Sequence, residues 1–269
     1  MRPRADRRAL RTVELRGTIA LAGREARRVL GLWTQTILPP VATAILLLAI
    51  FGGALGDRLR QVEGVAYPWF ILPGLLVMTV AGQSFANAAT SLFQAKNEGY
   101  IADVLTSPLR HWQVALSYMA GGLLRGWLAA GVVAAIAVPL TEGVRRPALA
   151  LAALALTGVI FSALGVLTGV WAETFDQHAF VANLVITPLA LVAGVFYAVQ
   201  TLAEPWSTLT RLDPIFYLVD ATRAGFTGAH EAPVAASLGV AAGVATAVVA
   251  KWEGDLGEPL PEGKPVPLD

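Results

Sequence analysis

Long uncharged apolar runs separated by short polar stretches dominate the chain. Windows of about 19 residues mark the first at 37–56, ILPPVATAILLLAIFGGALG, which contains no charge. A second covers 69–93. It includes Gln83, Ser84, Asn87, Thr90 and Ser91 but no formal charge before Lys96, so its second half is polar enough to line a cavity or to pack against other helices. A third, at 114–140, is interrupted once, by Arg125. The fourth, 147–171, and the fifth, 179–199, are charge-free, and the sixth, 233–250, is barely long enough to cross. A transmembrane helix needs roughly 20 mostly apolar residues. The pattern therefore predicts an all-α polytopic membrane protein with six transmembrane helices.

The flanks read differently. In TVELRGTIALAGREARRVL, Ile19, Ala22, Ala26, Val29 or Leu30, and Trp33 recur at three- and four-residue spacing, while Arg16, Arg24, Arg27 and Arg28 fall largely elsewhere. That is the pattern of a helix lying in the headgroup layer. No uninterrupted apolar core follows the arginine-rich start, so no cleavable signal peptide is expected. The stretch 253–269, EGDLGEPLPEGKPVPLD, has four Pro and five acids, a composition that favours disorder. Three parts result: an Arg-rich segment with an interfacial helix at 1–36, a transmembrane domain at 37–250, and a tail at 251–269.

Composition narrows the function. Of 269 residues 55% are hydrophobic and 14% charged, against about 25% charged in a soluble domain. Six spans would use about 120 positions, leaving no room for a large catalytic domain. Cysteine is absent, which excludes disulfides, thiolate metal sites and a cysteine nucleophile. The net charge of +1 conceals an asymmetry, because residues 1–36 hold nine Arg against Asp6, Glu14 and Glu25. With both termini cytoplasmic, the inner flanks carry 13 Lys and Arg, and the outer flanks carry six: Arg58, Arg60, Arg145, Arg146, Arg211 and Arg223. By the positive-inside rule the termini are cytoplasmic, and the N-terminal arginines supply most of that difference.

Candidate chemistry is sparse. There is no GxxxxGK[ST] phosphate loop. His111, His178 and His230 fall at separate membrane edges with no HExxH spacing, so no metal site is expected. Gly82-Gln83-Ser84-Phe85-Ala86 only half resembles a nucleophile elbow, and Ser84 reads as a packing serine. No predicted span holds an Asp or Glu, which weakens an ion-coupled carrier. Arg125, in GGLLRGWLAAG, is the one intramembrane charge: it either faces a path or a partner group, or binds carbonyls or a loop acid such as Glu173 or Asp176. Gln83, Asn87 and Asn183 are the accompanying polar candidates for a transport path. Gly122 with Gly126, Gly165 with Gly169, and Gly239 with Gly243 form small-xxx-small pairs suited to close helix packing.

Between the second and third runs, FQAKNEGYIADVLTSPLRHW contains a short amphipathic stretch, with Tyr100, Ile101, Val104 and Leu105 opposed to Lys96, Asn97, Glu98 and Asp103. It is either an interfacial connector or a helix that docks into a partner. Four stretches resemble a known family: WTQTILPP at 33–40; FILPGL at 70–75; DVLTSPL at 103–109; and TPL at 187–189 with GVFY at 194–197, Asp213-Pro214 and Arg223. In order and spacing these are similar to ABC-2-type transporter permeases, in the small six-span branch of daunorubicin-type and nodulation-factor exporters, over residues 25–250.

That resemblance implies a permease subunit of an ATP-driven exporter for a drug, lipid or glycan, paired as a homodimer and coupled to a separate ABC ATPase that holds the ATP and Mg. This chain itself would bind no cofactor, catalyse nothing and bind no nucleic acid. Its partners would be the ATPase, a second copy and membrane lipid, in the bacterial inner membrane. The coupling helix would span 95–106, with Ala95, Glu98, Tyr100, Ile101, Asp103, Val104 and Leu105 meeting the ATPase, and 200–231 would hold outer re-entrant helices. The path would be lined by spans one, two and five. Members of the family usually end on a longer final span and a basic end, which 233–269 lacks. The competing readings are an ion-coupled carrier, an integral membrane enzyme and a scaffold subunit.

Overall fold

The computed structural model describes residues 7–51, 61–62, 64–140 and 143–255. The end of the first predicted span, Arg58 and Arg60, and most of the acidic tail lie outside these described residues. Helix α1, Arg7–Gly31, is followed by α2, Trp33–Ala49. The hairpin β1, Gln61–Val62, and β2, Val65–Ala66, leads into α3, Tyr67–Asn97. Then come α4, Ile101–Thr106; α5, His111–Ala137; and α6, Pro147–Trp171. Helix α7, Phe175–Val192, precedes α8, Trp206–Leu212; α9, Pro214–Phe226; and α10, Val234–Asp255.

The protein is an all-α polytopic membrane protein. By length and apolar composition, α3, α5, α6 and α7 can each cross a membrane, and α1 with α2, bent by 59° between them, form a fifth candidate among the described residues. The apolar part of α10, Val234–Val248, is shorter. At 1.5 Å per residue it covers about 22 Å of a hydrocarbon core about 30 Å thick.

Helix α3 is the hub. Its most apolar window is 78% buried, and its most extensive packing is against α6 and α5. Small residues allow this approach. A Cβ on Gly165 would stand 2.6 Å from the Phe85 carbonyl, and one on Gly122 2.6 Å from the Ser84 carbonyl. Two of the three glycine pairs thus seat α5 and α6 on α3, with Ser84 fully buried among them. The third pair, Gly239 and Gly243, meets nothing within 4 Å.

Helix α7 departs from the predicted 179–199 in both bounds. It starts at Phe175, contains a π-helical stretch at Val181–Ile186, and ends at Val192 before Gly194 turns the chain at φ 72°. Pro188 has no amide hydrogen to donate and crowds the preceding turn. The wider π turn relieves that crowding, and the Thr187 hydroxyl donates to the Ala182 carbonyl at 3.0 Å.

Candidate coupling surface and transport groove

At one end of the bundle meet α1, the C-terminal end of α3, α4 and the start of α5. Gly99, at φ 80°, breaks the helix expected over 95–106 into the end of α3 and the separate α4. Only glycine enters that conformation without strain. Ala95 is therefore a fully buried residue of α3 and not part of a docking surface. Tyr100, Ile101 and Val104 turn inward and pack on the cluster of Leu92, Val114 and Tyr118. Glu98, Asp103 and Leu105 are exposed, Leu105 at 41%. The amphipathic stretch thus splits into an inner packing face and an outer face of Glu98, Asp103 and Leu105. Ser107, extended before Pro108, ends it.

A polar clamp ties α1 to this end. Glu25, 1% exposed, accepts from Arg24 Nη2 at 3.1 Å and from Ser91 of α3, and lies 3.3 Å from Arg28 Nη2. Arg28 also donates to Asn87 Oδ1 and Gln94 Oε1, each at 3.1 Å. Arg24 reaches Tyr118 of α5 at 3.3 Å and stacks over the Tyr100 ring at 4.8 Å. Burial raises the Tyr100 hydroxyl above its usual range. Arg24 and Arg28, expected in the headgroup layer, instead face the bundle because Glu25 shares the inward stripe of Leu21 and Val29. Ile19 and Leu30 of α1, and Trp33 at the start of α2, are exposed, at 70%, 52% and 59%. Lys96 closes the same end by donating to the Gly169, Val170 and Ala172 carbonyls at 3.2, 2.6 and 2.9 Å. It satisfies the last turn of α6, where unpaired carbonyls concentrate negative charge.

Halfway along the bundle, an open groove of about 360 Å³ lies between α2, α3 and α5, with Gln83 and Arg125 in its lining. Arg125 Nε donates to Gln83 Oε1 at 2.9 Å, and not to Glu173 or Asp176. Asn87 is buried under Arg28 one turn further along α3. Asn183 stands apart, exposed on α7.

The opposite end is capped by residues 193–233. Arg223, expected among the outer flank cations, is 0% exposed: its Nη2 donates to the Gly194 carbonyl at 2.6 Å, its Nε to the Phe70 carbonyl at 3.3 Å, and it lies 3.9 Å over the Phe70 ring. Asp220, also 0% exposed, accepts from the Glu231 and Ala232 amides at 2.7 and 3.2 Å and from Ser237 at 3.2 Å, holding the start of α10. Asp213 accepts from the Ile215 amide at 2.8 Å and caps α9.

The profile of the ABC-2 type transporter family matches residues 16–227, from the α1 clamp through α9. The chain belongs to the ABC-2 type transporter family. It is 37% identical over 220 residues to the inner membrane transport permease YadH of Escherichia coli K12, a match covering 81% of this chain and 85% of that one. It is also 26% identical over 190 residues to nodulation protein J of Rhizobium leguminosarum bv. trifolii, covering 70% and 72%. A third relative, nodulation protein J of Rhizobium meliloti strain 1021, is 25% identical over 191 residues. The protein is thus a permease of an ABC transporter, a class that works with an ATPase subunit. The matched range contains both ends of the ABC-2 permease just described: the clamp and α4 at one, Asp213 and Arg223 at the other.

Proposed function

We propose that this permease is the membrane subunit of an ATP-driven exporter, moving a drug, lipid or glycan-type substrate out of the cytoplasm across the bacterial inner membrane. The observation that carries the reading is α4, which roots an inward apolar face in the bundle and turns Asp103 and Leu105 outward, beside the exposed Glu98 at the end of α3. A short helix with that division transmits a push on its outer face to the helices beneath. A separate ATPase would bind ATP and Mg and dock on that face; this chain would supply no cofactor site and no nucleic-acid contact. The Arg-rich α1 end would be cytoplasmic, as the positive-inside count favours.

A homodimer fits the least covered helix. Only 17% of the apolar window of α7 is buried, and Asn183 projects from it without a hydrogen-bond partner among the described residues. An amide at membrane depth gains from a partner helix, and a second copy would offer the same residue. Six spans would follow if α1 with α2 form one crossing and α10 completes another. The three parts at 1–36, 37–250 and 251–269 remain the working division of the chain. An ion-coupled carrier or membrane enzyme is less favoured, because no predicted span holds an Asp or Glu and the sequence carries no catalytic constellation.

Leu105→Asp tests the docking surface. In the permease co-expressed with its ATPase, this exposed change is expected to leave thermal stability within about 0.5 kcal/mol and to lower co-purified ATPase activity at least tenfold. Unchanged co-purification and unchanged transport would remove α4 as the coupling element.

A further inference from the structure

Arg125 lies well inside the membrane. It is 14 residues from the start of α5 and 12 from its end, about 21 and 18 Å at 1.5 Å per residue. A cation at that depth is costly unless water, a partner or a ligand compensates it. Its hydrogen bond to the neutral Gln83 uses only Nε, and its two terminal nitrogens have no hydrogen-bond partner among the described residues. No carboxylate pairs with it among the described ion pairs. The groove it lines is otherwise apolar for most of its wall, with Pro39, Pro40 and Leu47 of α2 facing Leu75 and Met78 of α3. At about 360 Å³ the space suits a small headgroup with the first carbons of a chain.

A polar ladder leads to it. Gln83, Asn87, Ser91 and Gln94 follow one another along α3 at three- and four-residue spacing. Arg125 is attached to the first, Arg28 to the second and fourth, and Glu25 to the third. The ladder thus joins the arginine-rich end of the bundle to the groove, with a guanidinium at each end. Arg28 is already paired with Glu25, whereas Arg125 has no acid among the described ion pairs; a guanidinium left in that state attracts an anion, and its geometry matches phosphate and carboxylate oxygens.

We propose that the groove between α2, α3 and α5 binds an anionic amphiphile, a phosphate- or carboxylate-bearing molecule with an apolar tail, with Arg125 as its counter-ion and the α2 and α3 walls around the first carbons of the tail. The inference deepens the export reading by naming a substrate class; it rests on that reading for the ligand being cargo, though not for its being bound.

The test uses the full chain purified in a neutral maltoside detergent, with radiolabelled dodecyl phosphate as probe. Saturable binding near one probe per chain is expected, at least tenfold weaker in Arg125→Gln and within about fivefold of the unaltered protein in Arg125→Lys. Dodecylphosphocholine should compete at least tenfold less well than unlabelled dodecyl phosphate, and inorganic phosphate should not compete at the same concentration. Met78→Trp, which fills the groove and keeps the charge, should also weaken binding at least tenfold; it decides the matter if Arg125→Gln fails to fold. Equal binding by folded Arg125→Gln or Met78→Trp, or no binding to the unaltered chain, overturns the proposal. Equal competition by dodecylphosphocholine overturns the anionic headgroup, and competition by inorganic phosphate overturns the amphiphile in favour of a free anion. A chain that binds the probe through Arg125 but drives no ATP-dependent export fails only the export reading; an ATP-driven exporter whose Arg125→Gln form binds normally fails only this inference.

Discussion

Arg223→Met is expected to destabilise the purified permease by about 3–5 kcal/mol, because it removes two hydrogen bonds donated by a buried charge. Arg223 is fully buried and holds together three segments that are far apart in sequence: α9, the Gly194 turn that ends α7, and the start of α3 through Phe70. Hydrogen bonds from a charged donor contribute about 1.5–3 kcal/mol each, and the stacking over Phe70 adds to them. Methionine fills most of the volume, so the loss reports the bonds and not a cavity. In a chain of this size the midpoint of thermal unfolding in detergent should fall by on the order of 10 °C. Arg223→Lys should recover only part of this, because a single ammonium cannot stack on the ring and also serve two carbonyls set in different directions. A midpoint within about 2 °C of the unaltered protein for Arg223→Met would mean that the cap at 193–233 is held by other contacts.

Glu25→Ala is expected to loosen α1 from the bundle. The change leaves Arg24 and Arg28 facing each other without their shared carboxylate, and deprives Ser91 of its acceptor. Both arginines are partly exposed, at 41% and 29% of their side chains, so solvent screens some of the repulsion, and the cost is about 2 kcal/mol and not the full value of a buried pair. The absence of native cysteine makes the readout clean. A single Leu21→Cys, buried in the native packing, should react with a water-soluble maleimide at least tenfold faster when Glu25→Ala is added. Glu25→Gln should fall between, since it keeps a hydrogen-bond acceptor for Ser91 and loses the charge. Equal rates in all three backgrounds would show that α1 is held by its apolar contacts alone.

The hydrophobic runs were legible because burial in lipid demands long uncharged helices: α6 occupies the expected 147–171, and α3 and α5 overlap their predicted spans. The end of α7 was less legible. Gly194 and Pro188 were in view, but only the turn at Gly194 and the π stretch show how they shorten the helix at one end while it gains residues at the other. In the amphipathic stretch after α3, polarity alone could not separate the face packed on the bundle from the face left open. Gly99 supplied the signal for the break, since a glycine after Asn97 and Glu98 is a common helix stop.

The buried ionic residues were hidden for a different reason. Glu25 reads as one acid in a basic segment, and its role depends on Leu21 and Val29 marking the inward stripe, a register offset from the Ile19, Ala22 and Ala26 pattern, of which Ile19 is exposed and the two alanines are half-buried. Arg223 and Asp220 sit on one short amphipathic helix whose depth no local pattern reveals. In each case the partners decide whether a charge is a surface group or a structural bolt: Ser91 and two arginines for Glu25, carbonyls for Arg223, and two amides with Ser237 for Asp220.

Site-specific cross-linking tests the central claim, that an ATPase drives this permease through the outer face of α4. In an otherwise cysteine-free chain co-expressed with its ATPase, a cysteine-to-amine cross-linker is placed at Leu105→Cys or, as control, at Leu151→Cys, which is exposed near the start of α6 at the opposite end. The account predicts that the ATP-hydrolysing subunit is joined at position 105 and not at 151. An ATPase that co-purifies but joins at 151, or joins equally at both positions, would contradict it.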